Sequence, residues 1–517
     1  MNFDGRFREI ERGGDHAEHD ELLNAVVRLA IPEDEGGGVD WARQTTAICL
    51  ADLLARFLPR LQIDCPSSVR ADPNLPPGPK GLCERLIQAR DNSLLPPQPV
   101  AQEETPVLTV VVGGSGDGDL YVEGSGWISY LGSTRPGPLP SGGRNPIGPL
   151  IAACRGASQV LQRVFAGALR ETAIVESSHW SALTLAPWSP GEGAGPELDE
   201  PKVDALLMGA GSIGGASAYA LARVPELAGN LPVVDFDALE EPNSRKALLA
   251  RKADIAAGAR KIDVAKAELD HLADLDVTPF FGRLAEWVAS KPADQPLPTV
   301  LCAVDSMPAR RELVDHMPLE VVNAACGATD ISVSGHRTDE GPCVYCLYIG
   351  EVLDEAKTKM RIIARELGLV DGLVAGLRAQ QAPLNEQHLT AIERARSLPR
   401  GSLGEFFGRT IDELFAERVL YGEVRIEDSE GRGSALQLAF VPALAGFILA
   451  SEALKRGHPD LRQYALDPSG QAIEYTESLL GPSVGLLARP LRWPTSECLC
   501  RSNRRLLLMR ERYRVSG

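Results

Sequence analysis

The 517-residue chain carries a net charge of −17, with 44% hydrophobic and 24% charged residues, which is typical of a globular protein with two or three domains. Its acidity argues against nucleic-acid binding, and no apolar run of 18 or more residues predicts a membrane span. The charged N-terminus is unlike a signal peptide, so the sequence predicts a cytoplasmic protein whose ten cysteines stay reduced.

The residues before position 186 predict a mixture of helices and strands. Apolar periodicity favours helices in LLNAVVRLAI (22–31), TTAICLADLLARFLPRL (45–61) and the long segment 145–169. Strands are predicted in PVLTVVVGG, DLYVEG and WISYLG. A Gly-rich turn follows TVVV without a long helix, so we do not expect this half to bind a nucleotide, which needs helix N-terminal N–H groups. The acidic, Pro/Gly-rich stretch 186–202 predicts the main interdomain linker.

The second half alternates strands and helices, which indicates a parallel sheet with helices on both faces. Its middle, residues 350–420, is predicted mostly helical and polar, and residues 437–457 form a strongly apolar helix. The predicted elements of the sheet, in order, are strand 203–208, helix 213–224, strand 231–237, one long helix over 244–272, strand 299–305, helix 307–317 and strand 319–327.

A glycine pattern follows the first of these strands: Gly209-x-Gly211-x-x-Gly214. Such a turn lets the backbone approach a phosphate and directs a helix N-terminus at the anion. Asp235 and Asp237 lie at the end of the next strand, where an acid that binds a ribose is expected. A NAD-dependent enzyme and an ATP-using enzyme share these features.

The residues that follow favour ATP over NAD. Cationic and polar side chains, Asn243, Arg245 and Lys246, come directly after the second strand, and Gly258-x-x-Lys261 comes later. Asp305 ends another strand and is followed by Arg310 and Arg311, so a carboxylate that can hold Mg²⁺ lies near cations. Hydride transfer has no need of such a triphosphate clamp.

At these residues the second half, over roughly 201–517, resembles the ThiF/MoeB/E1 family, which adenylates the C-terminal glycine of ubiquitin-like proteins. The family pattern is a Gly-rich turn, D-x-D, an Asn six residues later, an Arg three further on, G-x-x-K, and D-N. The resemblance implies that Asp237 holds the ATP ribose, that Lys261 with Arg245 and Lys246 holds the phosphates, and that Asp305 holds Mg²⁺. Two departures stand out: Lys246 replaces the Arg, and Ser306 replaces the Asn.

Two cysteine pairs predict a zinc site. Cys343-x-x-Cys346 and Cys498-x-Cys500 would form a tetrahedral Cys₄ site if the fold brings them together. The family resemblance implies the same structural zinc. No cysteine lies within 347–497, where family members that form a thioester often carry the attacking thiol, and Cys302 and Cys326 are predicted to be packed residues.

The resemblance extends to the organisation of the whole chain. It implies a Rossmann-like adenylation domain over 196–346 and 435–517, preceded by a degenerate, inactive adenylation-like α/β domain over 1–195, the two paired as an intramolecular pseudodimer. Residues 347–434 would be a helical insert and crossover region. Whether two chains also form a homodimer through residues 437–457 stays open.

The leading hypothesis is therefore an E1-like enzyme that uses ATP and Mg²⁺ to activate a ubiquitin-like protein and passes it to its own thiol or to an E2-like partner. The layout is most similar to E1-like proteins of bacterial antiphage operons. The alternatives are a sulfur-carrier adenylyltransferase, a scaffold that binds the ubiquitin-like protein and the E2-like partner without catalysis, and a NAD-dependent oxidoreductase.

Overall fold

A computed structural model describes the chain from residue 24 to residue 513. Residues 347–424 form one compact unit, and the remainder of the described chain forms the other. The structure does not describe 34–37, 93–96, 102, 114–115, 167–173, 242, 293–294, 328, 340, 348–362, 365–366, 368, 396–399, 402, 416–423, 428–432, 437, 467–472, 480–488, 491–497, 499 and 501.

The first half of the chain folds around a seven-stranded sheet of order β2-β1-β3-β4-β5-β6-β7. Strands β1 to β4 are parallel, and β5, β6 and β7 each add in antiparallel orientation. The elements are β1 Val27–Ala30, α1 Trp41–Ala55, β2 Leu61–Asp64, α2 Leu82–Asp91, β3 Leu108–Val112, β4 Leu120–Ser125, β5 Ile128–Gly132, α3 Ile147–Val164, β6 Ser177–Ser181 and β7 Ala186–Pro187.

The second half forms a ten-stranded, mostly parallel sheet in which β8 is central. Parallel neighbouring strands of this kind are what βαβ crossover connections produce. Its elements up to the helical unit are β8 Lys202–Met208, α4 Ser212–Leu221, β9 Ala228–Asn230, β10 Val233–Asp235, α5 Asn243–Lys246, α6 Lys252–Ala256, α7 Lys261–Leu269, β11 Leu275–Asp276, β12 Pro279–Phe281, α8 Leu284–Ala289, β13 Thr299–Cys302, α9 Met307–Asp315, β14 Glu320–Cys326 and β15 Asp330–Arg337.

The remaining elements comprise the helical unit, a hairpin and the C-terminal part of the second sheet. The helical unit packs its own apolar core, in which Ile363, Val374, Leu389 and Phe406 are buried. The elements are α10 Asp371–Ala379, α11 Glu386–Ala395, α12 Ile411–Phe415, the hairpin β16 Val424–Glu427 and β17 Gly433–Leu436, α13 Phe440–Gly457, β18 Ile473–Ser478, β19 Arg489–Pro490 and α14 Asn503–Tyr513.

The two sheets share much of their strand order. In the first sheet β1 lies between β2 and β3, β4 continues the parallel part, and β5 turns back antiparallel. In the second sheet β8 lies between β9 with β10 on one side and β13 on the other, β14 continues the parallel part, and β15 turns back antiparallel. The second sheet also has an outer parallel edge, β11 and β12, that the described part of the first sheet does not have. A long buried helix then precedes the next antiparallel strand: α3 before β6 in the first half, and α13 before β18 in the second. The α/β class with a mostly parallel sheet and helices is therefore confirmed for the second half, and the first half is built on the same plan.

The two long helices α3 and α13 pack against each other where the halves meet. Side chains of α13 are buried from Phe440 to Lys455, so this apolar helix is used for packing inside one chain. Ser158 and Gln162 of α3 both donate hydrogen bonds to the carbonyl oxygen of Leu479, which follows β18. No helix among the described residues is long and apolar enough to cross a membrane.

Two sequence predictions are wrong at the level of single elements. The segment 22–31, predicted helical, contains the strand β1, because a short apolar run in a buried parallel strand has no period that separates it from a helix.

The single helix predicted over 244–272 is instead three short helices, α5, α6 and α7. Gly258 adopts φ +59° just after α6, which ends a helix in the left-handed conformation that glycine tolerates best.

Candidate functional site

The glycine-rich turn lies between the end of β8 and the start of α4. Gly209 adopts φ +93°, and its amide donates to the carbonyl oxygen of Val234 at 2.9 Å. A Cβ at position 214 would lie 1.9 Å from the carbonyl oxygen of Gly209, so only glycine fits there. At Gly211 a Cβ would meet no atom within 4 Å, which leaves the backbone of the turn open to a ligand.

Asp235 holds this turn rather than facing a ligand. Its carboxylate accepts hydrogen bonds from the amides of Ala210, at 2.6 Å, and Asp237, at 2.8 Å. Burial raises the pKa of Asp235, while the two amide hydrogen bonds oppose that rise. Of the two predicted ribose acids, Asp237 is the one whose carboxylate is accessible, with 47% of its side chain exposed.

Lys261 forms an ion pair with this accessible acid. Its ammonium lies 2.7 Å from Oδ2 of Asp237, and its amide donates to the Asp237 carbonyl oxygen at 3.1 Å. Lys261 is the first residue of α7, an end of a helix where a cation is electrostatically unfavourable. Helix stability therefore does not explain a lysine at this position, whereas the anionic partner Asp237 beside it does.

The other predicted phosphate ligands lie on the four-residue helix α5. The amide of Glu240 donates to Oδ1 of Asn243 at 2.9 Å, which fixes the start of this helix. Arg245 is exposed and Lys246 is half-buried. Arg245, Lys246 and Lys261 thus all lie on the segment that connects β10 to α7 through α5 and α6.

Asp305 comes to the same edge of the sheet from β13. The amide of Ala303 donates to the Met208 carbonyl oxygen at 2.8 Å, so the loop carrying Asp305 begins beside the glycine turn. Asp305 is exposed, and a carboxylate oxygen of this kind suits Mg²⁺. Ser306 caps α9 by accepting a hydrogen bond from the amide of Ala309 at 3.3 Å, which gives this departure from the family pattern a structural role.

The four predicted zinc ligands, Cys343, Cys346, Cys498 and Cys500, come together although 155 residues separate the first from the third. All four sulfur atoms lie within 4.8 Å of one another, and the closest pairs are 3.4 to 3.7 Å apart. A tetrahedron with Zn–S distances of about 2.3 Å has edges of roughly 3.8 Å. The donor set and its spacing therefore fit a Cys₄ zinc ion.

A buried histidine supports the backbone next to this cluster. Burial lowers the pKa of His336 to about 4, so its ring is neutral at physiological pH. Nδ1 lies 2.9 Å from the carbonyl oxygen of Pro342 and therefore donates to it, and Nε2 lies 2.9 Å from Oγ of Ser334. This contact orients the residue that precedes Cys343.

The cysteines outside the cluster include several that are poor nucleophiles. Burial raises the pKa of the Cys49, Cys154 and Cys302 thiols, and it raises the pKa of Cys65 to about 12. The thiolate is the reactive form, so these four thiols are poor nucleophiles. Cys49, Cys154 and Cys302 are buried, and Cys65 is half-buried. For Cys302 this agrees with the sequence prediction.

The first half has a different arrangement at the corresponding turn. Arg43, near the start of α1 and 4% exposed, donates hydrogen bonds from Nη2 to the carbonyl oxygens of Pro32, at 3.0 Å, and Val112, at 3.2 Å. A Cβ at Gly113 would lie 2.2 Å from this guanidinium. A side chain thus fills the space between the ends of β1 and β3, where the second half has its open glycine turn.

Two features escaped the sequence analysis. Arg56, in the first half, reaches the carbonyl oxygens around α5, and no local pattern signals a contact across 188 residues. The guanidinium groups of Arg283 and Arg260 lie over the exposed rings of Phe236 and Phe281, at 4.6 and 5.0 Å. Phe236 precedes Asp237, the predicted ribose acid. The available signal for these pairs was an aromatic residue at the end of a strand, since Phe281 ends β12 and Phe236 follows β10.

Comparison with known proteins shows one family and a relative that matches most of the chain. The model of the ThiF family matches residues 200–464, just over half of the chain. The uncharacterized protein y4jF of Sinorhizobium fredii (strain NBRC 101917 / NGR234) is 27% identical over 449 residues, which cover 84% of this chain and 82% of that protein.

Among solved structures, the microcin C7 biosynthetic enzyme MccB in complex with N-formylated MccA is 13% identical, with a TM-score of 0.35, over 59% of this chain and 68% of that chain. E. coli MccB with ATP is also 13% identical, with a TM-score of 0.30, over 56% of this chain and 66% of that chain.

Proposed function

The chain belongs to the ThiF family, and from this premise we propose that it is an ATP- and Mg²⁺-dependent adenylyltransferase that activates the C-terminal carboxylate of a ubiquitin-like protein. The observation that carries the proposal is the Asp237–Lys261 ion pair at the edge where the open glycine turn ends β8. An acid for ribose hydroxyls and a cation for phosphates stand next to backbone that a nucleotide can approach.

The proposed reaction is an exchange at the α-phosphorus of ATP. A carboxylate oxygen of the protein substrate forms a bond to this phosphorus, the bond to the bridging oxygen breaks, and pyrophosphate leaves with the electron pair. The product is an acyl-adenylate. The chain contributes positioning and electrostatic stabilisation of the charge that develops on the phosphates.

Each site residue has a proposed role in this step. Asp237 binds the ribose, and Lys261, with Arg245 and Lys246 on α5, neutralises the phosphates. Asp235 acts indirectly, because its carboxylate fixes the amide of Ala210 inside the turn. Asp305 is the residue that would hold Mg²⁺, which screens the charge of the leaving pyrophosphate when it is bound.

The first half is proposed to be an inactive copy of the adenylation fold. Its sheet shares the order of the central and antiparallel strands with the second, and Arg43 fills the place of the open turn. Residues 1–195 would then form with 196–346 and 435–517 a pseudodimer within one chain, and 347–434 would be the insert that meets the protein substrate.

The four cysteines are proposed to bind a structural zinc ion, since a closed Cys₄ set leaves no coordination position for a substrate. We expect one zinc per chain in the purified protein. Replacing both Cys343 and Cys346 with serine should remove the metal and lower the midpoint of thermal unfolding by about 5 °C or more, because metal binding and folding are linked. Elemental analysis and calorimetry measure the two effects.

The matched control is Cys65→Ser, which changes a half-buried thiol outside the cluster. This variant should keep its full zinc content. A double variant with unchanged metal content would contradict the zinc assignment.

For the fate of the acyl-adenylate, we propose transfer to a thiol of an E2-like partner, in a bacterial antiviral conjugation pathway. The raised pKa values of the Cys49, Cys65, Cys154 and Cys302 thiols favour a thiol on another protein over one of these four. A sulfur-carrier adenylyltransferase is the second candidate, since the chemistry of the first step is the same.

The exchange of labelled pyrophosphate into ATP tests the proposed activity. Purified ubiquitin-like proteins should each be assayed with the chain, and the cognate one should support exchange that requires Mg²⁺ and is lost in Asp305→Ala. An adenylated substrate that passes to an E2-like thiol supports conjugation, and one that becomes a thiocarboxylate supports sulfur transfer. Oxidation of NADH without use of ATP would refute both.

A further inference from the structure

Arg56 lies in the first half of the chain but makes most of its contacts with the second. It directly follows Ala55, the last residue of α1, and 1% of its side chain is exposed. Nε donates to Oδ1 of Asp52 at 2.8 Å, within the same helix. The other donors of the guanidinium cross to residues 244–248.

The acceptors on the far side are three backbone carbonyl oxygens of one short segment. Nη1 donates to the carbonyl oxygens of Ser244 and of Ala247, the latter at 3.0 Å, and Nη2 donates to that of Leu248 at 3.0 Å. The last carbonyl groups of any helix have no partner inside the helix. In α5, which has four residues, most carbonyl groups belong to this end. Arg56 donates to those of Ser244 and Leu248 and adds a second donor to that of Ala247, which also accepts from the amide of Ala250. Its positive charge also favours a helix C-terminus.

The segment 244–248, which Arg56 binds, carries Arg245 and Lys246. A four-residue helix has almost no stability of its own, because helix nucleation is unfavourable. Its position therefore depends on contacts from outside, and a buried, planar guanidinium with several aligned donors restricts the backbone more than one hydrogen bond does. Removing it would take away the guanidinium donor of the Ser244 and Leu248 carbonyl groups, while that of Ala247 would keep the amide of Ala250.

We propose that Arg56 is a positioning residue, supplied by the first half, that sets the backbone carrying the two α5 cations at the phosphate site of the second half. This inference rests on the proposed function for the identity of the ligand. It gives the first half a task in catalysis other than binding a nucleotide, namely to fix a part of the site that the second half cannot hold alone.

Arg223 provides a matched control. It lies two residues beyond the end of α4, and its guanidinium is also buried and ion-paired, at 3.0 Å from Oε1 of Glu268. Its guanidinium donates to the backbone carbonyl oxygen of Tyr219 at 2.7 Å, within its own half. Replacing either arginine with lysine thus disturbs a buried ion pair, but only Arg56→Lys disturbs the hold on 244–248.

The test compares Arg56→Lys and Arg223→Lys in the full-length protein by two measurements. In pyrophosphate exchange, the KM for ATP should rise about tenfold in Arg56→Lys, as expected for the loss of charged hydrogen bonds of the usual strength, and by less than about twofold in Arg223→Lys. Without ATP, hydrogen–deuterium exchange of the amides in 243–250 should become faster in Arg56→Lys alone.

Equal KM values in the two variants, with equal amide exchange over 243–250, would overturn the role of Arg56. If wild type itself shows no pyrophosphate exchange, the proposed function fails, while amide exchange still decides whether Arg56 holds α5. Faster amide exchange with an unchanged KM would refute the link to the phosphate site.

Discussion

Replacing Gly214 with alanine is expected to abolish nucleotide binding while leaving most of the fold intact. The added Cβ would lie 1.9 Å from the carbonyl oxygen of Gly209 and 2.9 Å from its carbonyl carbon. Both are backbone atoms, so the turn must move away from α4, at a cost of about 1–3 kcal/mol for overpacking. Because the phosphate contacts depend on the backbone of this turn, we expect the affinity for Mg²⁺-ATP to fall at least about 100-fold.

Gly215→Ala is the control for this variant. At the neighbouring position a Cβ would meet its nearest atom, the carbonyl oxygen of Ala210, at an ordinary 3.6 Å. The substitution also removes a glycine from a helix, which is worth about 0.5–1 kcal/mol of stability. Titration calorimetry should therefore give wild-type affinity for Gly215→Ala, and equal affinities for the two variants would show that the glycine turn does not bind the nucleotide.

Removing the ammonium of Lys261 is expected to have a comparably large effect, on the rate of adenylation. The group lies 2.7 Å from Asp237 and only 12% of the side chain is exposed, so its charge is poorly screened by water. A single preorganised donor to developing charge contributes about 100- to 1000-fold in kcat. We expect Lys261→Ala to lower pyrophosphate exchange by that factor. Asp237 would also lose its partner, so the affinity for ATP should fall as well.

Lys266 on the same helix controls for charge and helix effects. Its ammonium pairs with Asp270, and 39% of its side chain is exposed, so Lys266→Ala should exchange pyrophosphate at close to the wild-type rate. A Lys261→Ala variant as active as Lys266→Ala would remove this residue from the catalytic machinery.

The local part of the site could be predicted from the sequence. The glycines, Asp237 and Lys261 sit at motif spacings that reflect strand ends and helix starts, and the parallel sheet brings those ends to one edge. The cysteine cluster could also be predicted, because the residue type and the spacing of the two pairs are typical of metal ligands. The four sulfur atoms lie within 4.8 Å of one another, as expected.

The parts that depend on contacts distant in sequence could not be predicted. Arg56 binds carbonyl oxygens 188 to 192 residues away, and Arg43 closes the first-half turn by reaching Val112 across 69 residues. Neither has a motif. The division of 244–272 into three helices has one local cause, Gly258 after α6, while the carbonyl groups near its start are bound by a side chain from the other half.

The structure adds a physical reason for the separate uses of the two aspartates. By position after the strand Asp235 and Asp237 are equal candidates for the ribose, and the family resemblance alone favours Asp237. In the fold, the carboxylate of Asp235 is occupied by two amides and that of Asp237 stays accessible beside Lys261. The ribose assignment therefore rests on Asp237.

The central claim is that the glycine turn of the second half binds ATP and not a dinucleotide. Equilibrium binding of Mg²⁺-ATP and of NAD⁺ to the purified chain tests it without any knowledge of the protein substrate. We expect Mg²⁺-ATP to bind with a dissociation constant between about 1 μM and 1 mM, the usual range for enzyme substrates, with one site per chain and no binding of NAD⁺. Binding of NAD⁺ with no binding of Mg²⁺-ATP would contradict this account.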